Sequence, residues 1–204
     1  MLQRLEVIRK REEQVLQPGR SALLVLDMQR YFLEPHSHAY IPSAPAIIPG
    51  LQSLISAYAD GGFPVIFTRH VNSAQDAGMM ATWWRDMIDP HDPLSEIIHA
   101  LDQSKGSVIE KCQYDAFYGS QLGLALKEAS ISQLVIGGVM THLCCETTAR
   151  SAFMRGFRVF FSVDGTATYN EDFHNASLLN LAHGFATPVL VGEVLSALRG
   201  QHAA

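Results

Sequence analysis

Short apolar runs alternate along the chain with segments of helical periodicity. Six of these runs are too short for a buried helix and are bounded by glycine, proline or polar residues, so we interpret them as strands. They cover residues 21–26, 64–68, 107–110, 134–136, 158–163 and 187–191. The segments between them predict helices over 47–58, 93–101, 120–129, from Thr141 onward, 171–183 and 193–198. This alternation predicts a three-layer α/β/α, Rossmann-like fold with a six-stranded parallel sheet.

The N-terminal segment and two loops lie outside this alternation. Residues 2–16 predict a charged amphipathic helix that ends at Pro18-Gly19, so we divide the chain into an extension, 1–19, and a domain, 20–204. That helix either covers the edge of the domain or packs on another subunit. A long loop covers residues 30–50. A second loop contains Met79, Met80, Trp83 and Trp84, and its aromatic residues form either core or the wall of an apolar pocket.

Three predicted strands lead into residues with reactive side chains. Asp27 follows the first strand, Lys111 follows the third, and Cys144 lies in the turn after the fourth. The carboxyl ends of parallel strands share one edge of the sheet, where ligands bind in open α/β folds. If these strands lie close together, the three side chains converge. An acid at a strand end that merely caps a loop is the alternative.

The two adjacent cysteines are not equivalent. Cys145, Ala149 and Phe153 fall on one helical face, which predicts a core position for Cys145. Cys144 is turned about 100° from that face, in the first turn of the helix, where unpaired N–H groups and the helix dipole favour a thiolate. Cys144 is therefore the candidate nucleophile, and burial of both thiols as core residues is the alternative.

Composition narrows the class of protein. Hydrophobic residues make up 48% and charged residues 17% of 204 residues, as in an ordered globular protein. The net charge of -5 provides no basic surface for nucleic acid. Three cysteines do not make a disulfide framework, and no apolar segment has the length of a membrane span or the character of a signal peptide. We expect a cytoplasmic protein with neither nucleic-acid nor membrane partners.

An aspartate, a lysine and a cysteine brought together are able to cleave a C–N bond. The lysine cation lowers the thiol pKa, and the carboxylate holds or accepts the thiol proton. The thiolate attacks a carbonyl, the protonated carboxyl supplies a proton to the departing amine, and water hydrolyses the thioester. Backbone N–H groups of the turn 138–141 would lower the barrier by about 3–4 kcal/mol by binding the oxyanion.

Several motifs resemble those of the isochorismatase-like cysteine hydrolase superfamily. They are Asp27-Met28-Gln29 after a strand, residues 64–69 (PVIFTR), Lys111 with residues 114–117 (YDAF), and residues 138–144 (GVMTHLC) with 148–150 (TAR). They follow the family's order over roughly residues 20–195. The resemblance implies a six-stranded parallel sheet and a catalytic triad of Asp27, Lys111 and Cys144. It also implies a cis peptide bond between Val139 and Met140, and an oxyanion hole from the amides of Met140 and Cys144.

The resemblance also bears on cofactors and assembly. The nicotinamidase branch has an Asp-x-His motif and a further histidine for a zinc-type ion, a spacing that His36, His38 and His70 do not reproduce. We therefore expect no metal and no cofactor. Family members often form dimers or tetramers, so we expect a homo-oligomer that acts on a small-molecule substrate.

The sequence combines features of two branches. Val139, His142 and residues 147–149 and 152–155 resemble isochorismatases, which cleave a vinyl ether with the aspartate and usually have a small residue at position 144. The thiol favours hydrolysis of a small amide, ureide or carbamoyl compound. Ether cleavage through Asp27 and a non-catalytic binding module are the alternatives. Candidates for the pocket wall, each equally compatible with core or interface packing, are Gln29, Phe32, Trp84, Tyr114, Phe117 and Tyr169.

Overall fold

A computed structural model describes Leu5 and residues 15–200 of the chain. Most of the predicted helix 2–16 lies outside these described residues. Six strands are present, namely β1 (Ser21–Leu26), β2 (Val65–His70), β3 (Ser107–Lys111), β4 (Gln133–Val139), β5 (Arg158–Ala167) and β6 (Thr187–Val189). They form one all-parallel sheet in the order β3-β2-β1-β4-β5-β6, which confirms the predicted fold class.

Helices cover both faces of the sheet. Their bounds are α1 (Arg30–Leu33), α2 (Ile48–Asp60), α3 (Met80–Trp83), α4 (Leu122–Glu128), α5 (Glu146–Met154), α6 (Glu171–Gly184) and α7 (Val191–Gly200). Side chains of β1 alternate between two separate cores: Leu23 and Val25 pack with α2 and α7, whereas Leu24 packs with α4, α5 and α6. Because β1 is buried on both faces, its sequence is continuously apolar. Among the described residues, no helix is both long and apolar enough to cross a membrane.

Three predicted local features are wrong. Residues 93–101 form no α-helix; a 3₁₀ turn over Pro93–Ser95 is followed by extended chain that pairs with the segment after β1 through an Ile97–Gln29 bridge. Both predicted loops contain helical turns: residues 30–50 contain α1 and a 3₁₀ turn, Ala44–Ile47, and the loop with the two tryptophans contains α3. Phe153, predicted on the buried face of its helix, is 49% exposed, because the packed stripe of α5 ends at Ala152.

The strand order explains how the candidate residues meet. Strands β1 to β3 extend to one side and β4 to β6 to the other, so the topological switch point lies between β1 and β4. Asp27 and Cys144 follow these two adjacent strands. Lys111 ends β3, two strands away from β1, and its long side chain has to cross the end of β2. The last residue of β2 is His70, which pairs in register with Lys111.

Gly138 allows β4 to approach β1 closely at this switch point. Its φ is +114°, and a Cβ atom there would lie 2.1 Å from the Leu26 carbonyl oxygen and 2.6 Å from the Leu26 nitrogen. Both contacts are with backbone atoms, which have no rotamer to yield. A glycine is therefore required where β4 begins its turn towards Cys144.

We expect Gly138→Ala to lower the free energy of unfolding by about 3 kcal/mol or more, because strain at a positive φ adds to a backbone clash. Gly156→Ala is the matched control: Gly156 has a φ of +88°, but a Cβ atom added there would meet no atom of the described residues outside its chain neighbours within 4 Å. The control isolates the conformational cost, about 1–2 kcal/mol. Urea unfolding of both variants measures the difference, and equal losses would show that the close approach to Leu26 is unimportant.

Candidate active site

The ammonium group of Lys111 is the centre of a buried polar cluster. Its Nζ donates hydrogen bonds to the Gln113 carbonyl oxygen at 2.9 Å, to His70 Nδ1 at 3.0 Å and to Cys144 Sγ at 3.3 Å. Asp27 Oδ2 lies 2.8 Å from the same nitrogen, and neither side chain of this ion pair is exposed to solvent. The structure thus brings Asp27, Lys111 and Cys144 into direct contact.

Asp27 is held in place by its backbone and by a neighbouring strand. It adopts a φ of +51°, a left-handed conformation that aspartate tolerates better than most residues. Thr68 Oγ1 donates to Asp27 Oδ1 at 2.6 Å and accepts from the Asp27 N–H at 3.1 Å. Asp27 Oδ2 has an ionic contact with Lys111 but accepts no well-aligned hydrogen bond from the described residues. Oδ2 is therefore the oxygen available to take a proton from the thiol.

Cys144 lies on a turn that joins β4 to α5. The Val139–Met140 peptide bond is cis, at the position that the family resemblance implied. One π-helical turn, Thr141–Cys145, follows, and the N–H groups of Leu143 and Cys145 both donate to the Met140 carbonyl oxygen. Cys145 is completely buried among core residues, as its position on the helical face predicted. The oxyanion hole from the amides of Met140 and Cys144 stays a prediction.

His70 and Asn72 belong to the same cluster, although the sequence analysis assigned them no role there. His70 Nδ1 accepts from the Lys111 ammonium, so its Nε2 carries the proton and donates to Asn72 Oδ1 at 2.8 Å. Asn72 Nδ2 in turn donates to the Cys112 carbonyl oxygen at 2.7 Å. The available signal was the position of His70 two residues after the predicted strand 64–68, on the edge shared with Asp27 and Lys111.

The charges of the cluster follow from burial and from the contacts among its side chains. Burial raises the pKa of Asp27, but Lys111, His70 and Cys144 together outweigh this effect, so the pKa of Asp27 is below its usual value. Burial lowers the pKa of Lys111, but Asp27 and Cys144 together reverse this effect and bring the pKa of Lys111 to about 12. Burial, together with the Lys111 charge, lowers the pKa of His70 to about 4. At neutral pH the site therefore contains a carboxylate, an ammonium and a neutral imidazole.

The expected thiolate is not the resting form of Cys144. Burial raises its pKa, the charge of Lys111 lowers it and the charge of Asp27 raises it, which leaves the pKa at about 12. A single ammonium already balances one carboxylate, and a second buried anion beside them is unfavourable. The sulfur therefore keeps its proton at neutral pH, next to a carboxylate that is able to accept it.

The same side chains also include the atom types of a metal site. Asp27, His70 and Cys144 offer an oxygen, a nitrogen and a sulfur within 4.8 Å of one another, atom types that zinc binds. The Lys111 ammonium, however, lies 2.8–3.3 Å from atoms of all three residues. The position of a cation among these residues is thus occupied by the lysine, and these residues do not fit a metal ion while Lys111 stays in place.

A cavity of about 290 Å³ opens onto this cluster and is lined by Cys144, His70 and Asn72. Its other walls are mainly aromatic and aliphatic, and four of the predicted pocket residues, Phe32, Trp84, Tyr114 and Tyr169, are among them. Trp84 Nε1 donates to the Tyr114 hydroxyl at 2.6 Å, which joins two sides of the cavity.

Two of the predicted pocket residues do not line this cavity. The Gln29 side chain is fully buried and bridges the His70 backbone to the Ser95 carbonyl oxygen. It thereby provides hydrogen-bond partners for the backbone N–H and carbonyl groups of His70 at the end of β2. Phe117 lies in the core on the α4–α5 side of the sheet, where its ring stacks on Phe157.

The polar groups of the cavity wall form a separate set. His38 Nδ1 lies 3.1 Å from Asp86 Oδ2, and His38 Nε2 lies 3.3 Å from the Tyr31 hydroxyl. Arg85 lines the cavity beside Asp86. Because the charges of Arg85 and Asp86 are opposite, this wall has no strong excess of positive or negative charge.

Comparisons with known proteins show which families and structures this chain resembles. The family model described as Isochorismatase domain matches residues 21–193. Nicotinamidase 3 of Arabidopsis thaliana is 41% identical over 185 residues, which cover 88% of this chain and 89% of that protein. Enterobactin synthase component B of Escherichia coli is 30% identical over 184 residues; the alignment covers 89% of this chain and 64% of that protein. A solved structure of a cysteine hydrolase from Pseudomonas syringae pv. phaseolicola superposes with a TM-score of 0.88 at 27% identity, over 92% of this chain and 96% of that chain.

The buried, neutral state of His70 predicts a pH-dependent stability. Its pKa is about 4 in the folded chain against 6.5 as the ordinary value, so below pH 6.5 the unfolded chain binds a proton that the folded chain does not. This contribution is complete above pH 6.5 and is lost as the pH falls towards 4, by roughly 3 kcal/mol in total. We expect the stability difference between the wild type and His70→Asn to shrink by that amount between pH 7 and pH 4 in urea unfolding. A difference that is independent of pH would contradict a neutral His70.

Proposed function

Since the chain belongs to the isochorismatase family and is an amidase-like hydrolase, we propose that it cleaves a small carboxamide through a thioester on Cys144. The observation that carries this proposal is the buried contact of Lys111 with both Asp27 and Cys144 at an apolar cavity. A thiol in that position has a proton acceptor, a stabilising cation and access to a small carbonyl compound.

In the first half of the reaction, one proton moves from the thiol to Asp27 and then from Asp27 to the leaving nitrogen. As the sulfur attacks the amide carbon, the thiol proton moves to Asp27 Oδ2 and an S–C bond forms. Lys111 Nζ, already directed at Sγ from 3.3 Å, stabilises the negative charge that the sulfur would otherwise carry alone. Asp27 then gives the proton to the amide nitrogen, the C–N bond breaks, and ammonia or an amine leaves.

The second half hydrolyses the thioester. Asp27, again a carboxylate, accepts a proton from a water molecule as its oxygen adds to the thioester carbon. The tetrahedral intermediate collapses, the C–S bond breaks, the proton returns to the sulfur, and a carboxylic acid is released. The amides of Met140 and Cys144 are the proposed donors to the oxyanion in both halves.

The cavity favours a compact, neutral and planar substrate. Aromatic side chains such as Phe32, Trp84 and Tyr169 provide flat apolar walls, and Arg85 with Asp86 leaves little net charge. An aromatic carboxamide fits this description, and a relative that covers 88% of the chain is a nicotinamidase. Nicotinamide is therefore the first substrate to test, followed by ureido and carbamoyl compounds.

Isochorismate-type ether cleavage is the second candidate. The match of residues 21–193 to the family model described as Isochorismatase domain favours it, and Asp27 would supply the proton without help from a thiol. Isochorismate carries two carboxylates, however, and Arg85 is the one arginine or lysine side chain among the described residues that line the cavity. The cavity therefore suits a neutral amide better than a dianion.

Substitution of the thiol separates these candidates. We expect Cys144→Ala to lower kcat/KM for the amide by about 10³-fold or more, because the nucleophile is lost. Cys145→Ala, which removes the adjacent core thiol, is the matched control and should retain activity. Acid-quenched wild type should show an acyl adduct on the peptide containing Cys144 in a mass spectrum.

Two outcomes would reject the thioester proposal. One is undiminished amide hydrolysis by Cys144→Ala. The other is hydrolysis of isochorismate by both the wild type and Cys144→Ala, with loss of activity in Asp27→Ala and no turnover of any amide. The second pattern would assign the ether chemistry instead.

A further inference from the structure

His70 is the one buried titratable side chain of the described cluster that the proposed reaction does not use. It is 6% exposed, it lies at the end of β2 between Asp27 and Lys111, and its ring nitrogen contacts the ammonium directly. A histidine with a folded-state pKa of about 4 is a poor proton acceptor at neutral pH. Its position therefore calls for an explanation other than general base catalysis.

The hydrogen bonds of Lys111 provide that explanation. An ammonium has three N–H groups, and the rotation of all three is fixed once two of them are held. Here the Gln113 carbonyl oxygen and His70 Nδ1 hold two of them, at 2.9 and 3.0 Å, and the third points at Cys144 Sγ. Asp27 Oδ2 is closer to the nitrogen, at 2.8 Å, yet accepts no aligned hydrogen bond from the described residues.

We propose that His70 is a positioning residue for the amide hydrolysis proposed above: its neutral Nε2–H tautomer holds Lys111 so that one N–H is directed at the sulfur and not at Asp27. The carboxylate is the stronger acceptor, and a freely rotating ammonium would turn a proton towards it. Asp27 Oδ2 would then be less available to the thiol proton, and the developing charge on sulfur would lose its donor.

Asn72 fixes the tautomer that this arrangement needs. Its Nδ2 donates to the Cys112 carbonyl oxygen, so its Oδ1 has to face His70 and accepts the Nε2 proton. The opposite tautomer would place an N–H against the ammonium, two donors facing each other. Asn72 thus keeps the Nδ1 lone pair of His70 directed at Lys111.

Two substitutions of His70 separate positioning from packing. His70→Asn keeps an acceptor oxygen near the place of Nδ1, whereas His70→Leu fills the site without an acceptor. We expect His70→Leu to lower kcat about 10- to 100-fold with KM changed less than about threefold, and His70→Asn to stay within about fivefold of the wild type. His183→Asn, at an exposed position near the end of α6, controls for loss of a histidine. Equal kcat values for His70→Leu and His70→Asn would overturn the proposal.

A spectroscopic measurement tests the same proposal on the unmodified chain. In ¹⁵N-histidine NMR spectra of the wild type at pH 7, with His70→Asn used for assignment, we expect His70 to be neutral and protonated on Nε2. Protonation on Nδ1 or on both nitrogens would overturn the proposal even if His70→Leu does not fold. The failure of the proposed function has a different signature. In that case the wild type turns over no amide, but His70 still has the Nε2–H signature and iodoacetamide alkylates Cys144 more slowly in His70→Leu than in His70→Asn. The positioning role of His70 then stands without the amide hydrolysis.

Discussion

A lysine ammonium with no access to solvent is the feature on which the arrangement of this site depends. Removal of a cation from water is costly, and the contact between Lys111 Nζ and Asp27 Oδ2 offsets that cost. The three N–H groups need acceptors as well, and the Gln113 carbonyl oxygen, His70 and Cys144 provide them. These requirements are met because strands β1 to β4 end at the same edge of the sheet, so the fold and the ion pair depend on each other.

The same ion pair determines the state of the nucleophile. Lys111 attracts a negative charge, but Asp27 already supplies one, and burial raises the pKa of the Cys144 thiol to about 12. An enzyme of this kind does not need a preformed thiolate. In the reaction that we propose, the thiol proton moves to the Asp27 carboxylate as the sulfur attacks the substrate, so the site would never contain two unbalanced anions. A resting thiol is also less exposed to oxidation than a resting thiolate.

Much of the fold followed from the sequence, since the apolar runs were short, regularly spaced and separated by helical segments. The convergence of Asp27, Lys111 and Cys144 also followed from their positions after strands. The contact of His70 with Lys111 did not, because it depends on β2 lying between β1 and β3, and strand order is set by tertiary packing. The extended segment after Pro93 was missed for a related reason: its backbone pairs with the chain after β1, a contact that local periodicity does not reveal. Gln29 and Phe117 were candidates for the pocket by residue type alone, whereas the hydrogen bonds of Gln29 to the His70 backbone and the stacking of Phe117 on Phe157 place them elsewhere.

We propose that Asp27, Lys111 and Cys144 act as one unit around a shared proton and a shared charge. Kinetic coupling among them tests it most directly, through kcat/KM for the best amide substrate in Asp27→Asn, Lys111→Met, Cys144→Ala and the triple variant. We expect each single substitution to lower kcat/KM nearly as much as all three together, because the remaining two residues have no function alone. Losses of kcat/KM that multiply from one substitution to the next would mean that the three residues contribute independently and do not act as one unit.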